Sequence, residues 1–213
     1  MNLRPLQIDG SGLRRLALSL SIALILAGCA ATQPARKVSN IEIQEEVGFT
    51  ITEQVRVATD VRGDYDRALA LLQQGRDEEG IELLEAVAKA APGLSAPRID
   101  LGTAYHRIGN LEAAEENLRK AIELNPEHPL AHNELGIVYR KTGRFAEARS
   151  SYEAALAIYP GFHYARRNLA VLCDLYLADL NCALENYEAY MDTVPDDQEA
   201  SMWIADLRNR LGK

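Results

Sequence analysis

Histidines are the residues that a metal or acid-base site would use first, and this sequence has four of them. His128 and His132 are four positions apart, the spacing at which two histidines on one helix bind zinc. Pro129 lies between them, however, so no glutamate follows the first histidine as it does in zinc proteases. The other two are His106 and His163. We predict no metal site and interpret the histidines as surface and groove residues.

Other catalytic patterns are absent from the sequence as well. It contains no phosphate-cradling glycine loop, no nucleophile elbow and no pair of carboxylates in a recognisable cleft. Acidic residues such as Glu112, Glu115 and Glu116 fall on helix faces that we expect water to cover. We therefore predict no catalytic residues, no enzyme activity and no cofactor.

The elements that carry these residues repeat every 34 positions. Seven residues recur in register, as Leu101, Gly102, Tyr105, Gly109, Ala114, Ala121 and Pro126 and then as Leu135, Gly136, Tyr139, Gly143, Ala148, Ala155 and Pro160. A period of this length predicts an array of helix-turn-helix units. Small residues let the two helices of a unit approach closely, a glycine ends the first helix, and a proline follows the second.

This pattern resembles the tetratricopeptide repeat family. The resemblance implies an all-α fold, a solenoid of about four helix-turn-helix repeats with a C-terminal capping helix. The fourth repeat departs from the pattern, because it has one extra residue and Leu177 at the place of the turn glycine. We expect Thr59 or Asp60 to cap the first helix and Asp196 or Asp197 to cap the last. The expected segments are 1–28 signal peptide, 29–58 tether and extended arm, 59–94, 95–128, 129–162 and 163–196 the four repeats, and 197–213 the capping helix.

The first residues have the pattern of an export signal. Basic residues precede an apolar or serine run over residues 16–26, which is too short to span a bilayer comfortably. The Leu26-Ala27-Gly28-Cys29 sequence that follows resembles the lipobox of bacterial lipoproteins. That resemblance implies cleavage before Cys29, lipid on its thiol and a place in the cell envelope. Since Ala30 rather than aspartate comes next, we expect the outer membrane, facing the periplasm. The alternatives are an ordinary secretory signal with a chance cysteine and a retained membrane anchor.

Two further stretches separate this signal from the repeats. Residues 30–40 are polar and are typical of a flexible tether. Residues 41–57 alternate apolar with polar side chains, which favours extended structure. This segment is interpreted as an arm on the first repeat, as a segment that pairs with a partner's sheet edge, or as disorder.

Cys173 and Cys182 remain as a pair once Cys29 is assigned to lipid. They lie near the end of the first helix and the start of the second helix of the fourth repeat, where a disulfide is within reach. Such a bond would close a short loop and contribute about 2–3 kcal/mol. Two buried free thiols are the alternative.

The net charge of the chain limits the class of partner that it can bind. The chain has 23 basic and 31 acidic residues, a net charge of −8. Removal of residues 1–28 takes away three arginines and one aspartate, which leaves 20 basic and 30 acidic residues and a net charge of −10. An acidic surface argues against nucleic acid as the partner.

The family resemblance implies that the first helices line a concave groove for peptides or helices. The positions carried over are Ile99, Thr103, His106, Arg107, Asn133, Ile137, Arg140, Lys141, Arg166, Arg167 and Val171. This set is basic on an acidic protein, so we hypothesise that it binds an acidic segment. Placement of basic residues at helix C-termini by the helix dipole explains the same pattern.

Taken together, the sequence resembles a bacterial tetratricopeptide-repeat lipoprotein. The resemblance implies a lipid-anchored scaffold that binds a protein or peptide partner, such as an assembly factor for a pilus or secretion complex. An accessory subunit of an energised envelope transport complex, an adaptor for peptidoglycan enzymes and a self-associating structural protein are alternatives. The oligomeric state is not predicted.

Overall fold

The computed structural model describes residues 40–44, 48–52 and 57–213 of the chain. Residues 1–39, which include the predicted signal peptide, the lipidation site Cys29 and the tether, lie outside the described residues. The helices within 57–213 are α1 Thr59–Gln73, α2 Asp77–Ala90, α3 Ala96–Arg107, α4 Leu111–Leu124, α5 Pro129–Lys141, α6 Phe145–Ile158, α7 His163–Leu175, α8 Leu180–Met191 and α9 Gln198–Arg210.

A two-stranded antiparallel hairpin precedes the helices. Strand β1 Asn40–Gln44 pairs with strand β2 Gly48–Thr52, with Ile41 opposite Ile51 and Ile43 opposite Phe49. The alternating pattern of residues 41–57 therefore corresponds to extended backbone in these strands, whose pairing partner is this same chain. Residues 45–47 and 53–56 of that segment are not among the described ones.

The helices pack as consecutive antiparallel pairs. α1 packs on α2, α3 on α4, α5 on α6 and α7 on α8, and each second helix also contacts the first helix of the next pair. α9 follows the last pair and packs on α8. This arrangement confirms the predicted all-α repeat fold with a final capping helix. No helix within the described residues is both long and apolar enough to cross a membrane.

Close approach within a pair depends on a glycine of the first helix. Gly102 in α3 is buried and faces the side chain of Leu118 in α4, which is itself 0 % exposed. A Cβ atom on Gly102 would fall inside that leucine side chain. The small residue is therefore required by the helix spacing and not by backbone conformation.

Three turns within pairs use a left-handed glycine. Gly75, Gly109 and Gly143 have φ angles of 74°, 83° and 76°, a region that glycine enters without steric cost. The residue after each glycine donates its backbone N–H to a carbonyl five positions back, as from Asn110 to Tyr105 at 2.9 Å. This bond ends the first helix and sets the direction of the second.

The turn of the fourth pair is built differently. Leu177 occupies the place of the glycine in the 34-residue register, but the left-handed residue is Ala178, with φ of 53°. Asp179 donates its backbone N–H to the carbonyl of Cys173, six positions back, at 2.9 Å. The extra residue of this repeat is therefore accommodated within the turn, and the helices on both sides keep their pairing.

The helix ends confirm one expected cap and correct another. Asp197 precedes α9, and its carboxylate accepts the backbone N–H of Ala200 at 3.0 Å. α1 begins after Ala58 and has no side-chain cap, so the prediction of a cap from Thr59 or Asp60 was wrong. Thr59 already lies within the helix, where its backbone has left the extended conformation that a cap requires.

Candidate interaction surfaces

The first helices form one side of the helical array, called here the first-helix face and made of α3, α5 and α7. α3 contacts α5 and α5 contacts α7, so these three helices form a continuous surface. Hydrogen bonds join the N-terminal halves of neighbouring first helices. The Asn168 amide of α7 donates to the side-chain oxygen of Asn133 in α5 at 3.0 Å, and the Tyr65 hydroxyl of α1 donates to Asp100 in α3 at 2.5 Å.

The predicted groove residues divide by exposure. Thr103, Arg107 and Lys141 are exposed, whereas Ile99 and Asn133 are each only 2 % exposed. Ile99 and Asn133 occupy equivalent positions at the contact between neighbouring first helices, where the adjacent helix covers them. They cannot offer a surface to a partner, which corrects their assignment to the groove.

Two of the predicted basic groove residues contact acidic or aromatic groups of other helices. The Arg107 guanidinium forms an ion pair with Asp77 at the start of α2. Arg167 lies over the Trp203 ring, with its guanidinium carbon 5.3 Å from the ring centroid, and its terminal nitrogen is 4.0 Å from Glu199. The positive charges of Arg107 and Arg167 therefore already interact with side chains of other helices in the array.

Arg166 was assigned to the groove and lies on the opposite side. Its guanidinium donates to the side-chain oxygen of Asn186 in α8 at 3.1 Å, and it lines a depression on the second-helix side. Arg98, two repeat spacings earlier in register, donates in the same way to Asn117 at 2.8 Å. The first helix turns this position toward its own second helix, so Arg166 is removed from the groove set.

Arg140 and Lys141 remain as positively charged residues on the first-helix face, and His106 lies close to both. Burial lowers the pKa of His106 below its usual value, and the nearby charges of Lys141 and Arg140 lower it further. The Nε2 atom of His106 is buried and has no hydrogen-bond partner among the described residues. Arg140 donates to the Tyr152 hydroxyl at 3.4 Å and lies over the Tyr176 ring. No carboxylate of the described part of the chain pairs with these three side chains.

Two half-buried carboxylates line the N-terminal halves of the same helices and were missed in the sequence analysis. Burial raises the pKa of Asp100 and of Glu134 above their usual values, against hydrogen bonds from Tyr65 and Asn133 respectively. The two acids are 34 residues apart in register, so the repeat period itself was the signal that could have found them. The first-helix face is therefore not uniformly basic.

The opposite side of the array carries open depressions between second helices. One of about 570 Å³ lies between α4 and α6 and is lined by Arg119, Ile122, His132, Leu135 and Tyr139 among others. A ring nitrogen of His132 lies 2.9 Å from the Pro126 carbonyl oxygen, and His128 is 8 % exposed at the start of α5. The two histidines with zinc-like spacing are thus engaged in the turn between repeats.

Cys173 and Cys182 form a disulfide in the structure, with their Cα atoms 5.9 Å apart. Cys173 is fully buried at the end of α7 and Cys182 is half-buried in the first turn of α8. Arg149 of α6 forms an ion pair with Asp179 at 2.9 Å and approaches the Cys173 sulfur at 3.6 Å. Asp179 lies within 4.8 Å of both sulfurs, but these are bonded to each other and the carboxylate is paired, which leaves no ligand set for a metal.

Comparison with known proteins agrees with this geometry. The family model described as tetratricopeptide repeat matches residues 55–95 and 99–161. These residues match that repeat in sequence, and the helical part of the chain has the stacked helix-pair fold of tetratricopeptide-repeat solenoids. The match ends before α7, where the extra residue and the left-handed Ala178 alter the pattern.

Solved structures share this fold, and a curated protein is similar to part of the chain in sequence. MamA residues 41 to the end from Desulfovibrio magneticus RS-1 superposes with a TM-score of 0.65 at 20% identity, over 74% of this chain and 88% of that one. Pseudomonas aeruginosa pilF gives a TM-score of 0.64 at 20% identity, over 70% and 68%. The protein O-mannosyl-transferase F38B6.6 of Caenorhabditis elegans is 30% identical over 54% of this chain, which spans only 15% of that relative's length.

Proposed function

We propose that this chain is a lipid-anchored scaffold that binds protein partners in the bacterial cell envelope. The first-helix face is the observation that carries the proposal, because α3, α5 and α7 present exposed polar, basic and apolar side chains along one continuous surface. Tetratricopeptide repeats bind protein or peptide partners, and no catalytic constellation accompanies this surface within the described residues.

The envelope location rests on residues 16–29 of the sequence. A short apolar segment followed by Leu26-Ala27-Gly28-Cys29 resembles the signal of a bacterial lipoprotein. Two or three acyl chains on Cys29 would hold the protein firmly at a membrane, whereas one chain would anchor it only marginally. We propose the outer membrane, with the repeats in the periplasm, since Ala30 follows the cysteine.

Cys29→Ser tests the anchor directly. We expect the substituted protein to leave the membrane fraction after a carbonate wash, while the wild-type protein stays in the pellet. The variant carrying Cys173→Ala and Cys182→Ala keeps Cys29 and is the control, so it should pellet like the wild type. A Cys29→Ser protein that remained in the washed pellet would contradict lipid attachment.

The role within the envelope is proposed to be assembly of a pilus or secretion complex. Crosslinking in intact cells, followed by affinity isolation of the lipidated protein and mass spectrometry, tests this role. Adducts with pilus or secretion-pore subunits would support it. Adducts with subunits of an energised transport complex or with peptidoglycan enzymes would assign the scaffold to those systems instead. If the protein formed adducts only with other copies of itself, the result would contradict the proposal that it is a scaffold for other proteins.

A further inference from the structure

Exposed apolar side chains gather where the first helices end. Among the described residues, five large apolar side chains are exposed: Ile108, Tyr164, Leu175, Tyr176 and Met202. Three of these five lie at or just beyond the C-termini of α3 and α7. Leu175 is 68% exposed. The apolar residues are thus concentrated at one edge of the first-helix face.

The positive charges of Arg140 and Lys141, in the last turn of α5, lie at this same edge. The guanidinium carbon of Arg140 lies 5.9 Å from the centroid of the Tyr176 ring. His106 lies close to Arg140 and Lys141, and the charges of both residues lower its pKa. Cations and exposed apolar residues are therefore contiguous across the ends of α3, α5 and α7. This set of His106, Arg140, Lys141, Leu175 and Tyr176 is called the rim patch.

The acidic residues at this edge are committed to other partners. Asp174, next to Leu175, pairs with Arg210 of α9 at 2.8 Å and is largely covered. Asp77 pairs with Arg107. Lys141 is exposed and forms no hydrogen bond or ion pair with any described residue. The rim patch consequently carries positive charge that the described part of the chain does not neutralise.

We propose that the rim patch binds a segment of a partner protein that carries both acidic and apolar side chains. Carboxylates of that segment would accept charge-assisted hydrogen bonds from Lys141 and Arg140, while its apolar side chains cover Leu175 and Tyr176. The inference rests on the proposed scaffold function and adds the chemistry of the partner. It also moves the contact from the middle of the groove to the helix ends.

A peptide titration tests the inference with the full lipidated chain in detergent. The probe is a short fluorescent peptide of glutamate, leucine and phenylalanine on an alanine background, capped at both ends. Two companion peptides replace every glutamate with glutamine or with lysine. Fluorescence anisotropy gives the dissociation constant of each peptide at low and at high salt, because charge-assisted contacts at an exposed patch weaken as salt rises.

Matched variants separate the rim patch from general charge effects. Lys141→Glu reverses a charge in the last turn of α5, and Lys89→Glu reverses an exposed charge in the last turn of α2, so both alter the helix dipole interaction equally. Leu175→Ser removes an exposed apolar side chain from the patch, and Met202→Ser removes one that is 63 % exposed on α9. The two control positions lie outside the rim patch.

The expected result is tight binding of the glutamate peptide, weakened about tenfold by Lys141→Glu and less by Leu175→Ser. The two controls should leave the dissociation constant unchanged, and the glutamine and lysine peptides should bind more weakly. Absence of binding to the wild type, equal loss from Lys89→Glu, or preference for the lysine peptide would overturn the inference. Partner adducts in cells that persist in Lys141→Glu would retain the scaffold function while rejecting the rim patch.

Discussion

Gly136 in α5 lies directly against the phenol ring of Tyr152 in α6. A Cβ atom added to Gly136 would lie 2.6 Å from Cε1 of that ring, closer than real side chains allow. Tyr152 is 0 % exposed, so the ring has no open space into which it can move. The separation of these two helices is thus set by the absence of one side chain.

Substitution of Gly136 should force this helix pair apart. We expect Gly136→Leu to lower the free energy of unfolding by about 1–3 kcal/mol or more, because the interior is already closely packed. Gly63→Ala in α1 is the control, since a Cβ there meets nothing within 4 Å and removes a flexible residue from a helix. Chemical denaturation should show the control equal to or above the wild type. A Gly136→Leu protein with unchanged stability would contradict the packing described here.

Replacement of Ala178 by glycine, the residue that the other three turns use, should stabilise the protein. Its φ of 53° lies in the left-handed region, which costs an alanine about 1 kcal/mol relative to glycine. We therefore expect Ala178→Gly to raise the free energy of unfolding by about that amount. Gly143→Ala, where a Cβ meets no neighbour, should produce a loss of similar size. Denaturation curves in which the two changes shift stability in the same direction would contradict this account of the turn.

The Cys173–Cys182 disulfide should stabilise the fourth pair. Loss of the crosslink releases a short loop in the unfolded chain, which corresponds to about 2–3 kcal/mol. We expect the melting temperature to fall in the protein with Cys173→Ala and Cys182→Ala, and in the wild type after treatment with dithiothreitol. The reductant should have no effect on the doubly substituted protein. Identical melting of oxidised and reduced wild type would show that the bond contributes nothing.

Asp100 should make stability depend on pH in a defined direction. Burial raises its pKa in the folded state, so the folded protein retains a proton at pH values where the unfolded chain has lost it. Its favourable contribution is complete below the usual pKa of an aspartate and is lost as pH rises through the raised value. We expect Asp100→Asn to increase the melting temperature at pH 7, with the gain shrinking in acid.

The control for this pH effect is Asp66→Asn. Asp66 holds the equivalent position in α1, one period earlier, and is exposed. Melting curves of this variant should follow those of the wild type at each pH. A gain from Asp100→Asn that was equally large at pH 7 and in acid would show that desolvation of the carboxylate is not its cause.

The helix pairs could be predicted from the sequence because each pair is defined by local features repeated at a fixed spacing. Gly109, Gly143 and the prolines after the second helices act within a few residues of their own position. Asp197 likewise caps the helix that it precedes. Ala178 could not be predicted as the left-handed residue, since one extra residue shifts the turn and nothing in its side chain favours that conformation.

The direction of the surface side chains was harder to predict. Arg166 and Arg167 are neighbours in sequence, but successive residues on a helix are rotated by about 100°. One therefore reaches Asn186 on the second-helix side, and the other stacks on Trp203 of the capping helix. Which of the two lies in a groove depends on how the following pair is placed, which no local pattern encodes. The burial of Ile99 and Asn133 arises in the same way.

A site-specific photocrosslinker in living cells tests the scaffold most directly. Thr103 on the first-helix face and Ser150 on α6 are both exposed, and each hydroxyl donates to the carbonyl four residues earlier, so the two positions are closely matched. The account predicts that a photocrosslinker at position 103 yields discrete adducts with another protein, and that one at position 150 yields few. Adducts that form equally at both positions, or only at 150, would contradict binding through the first-helix face.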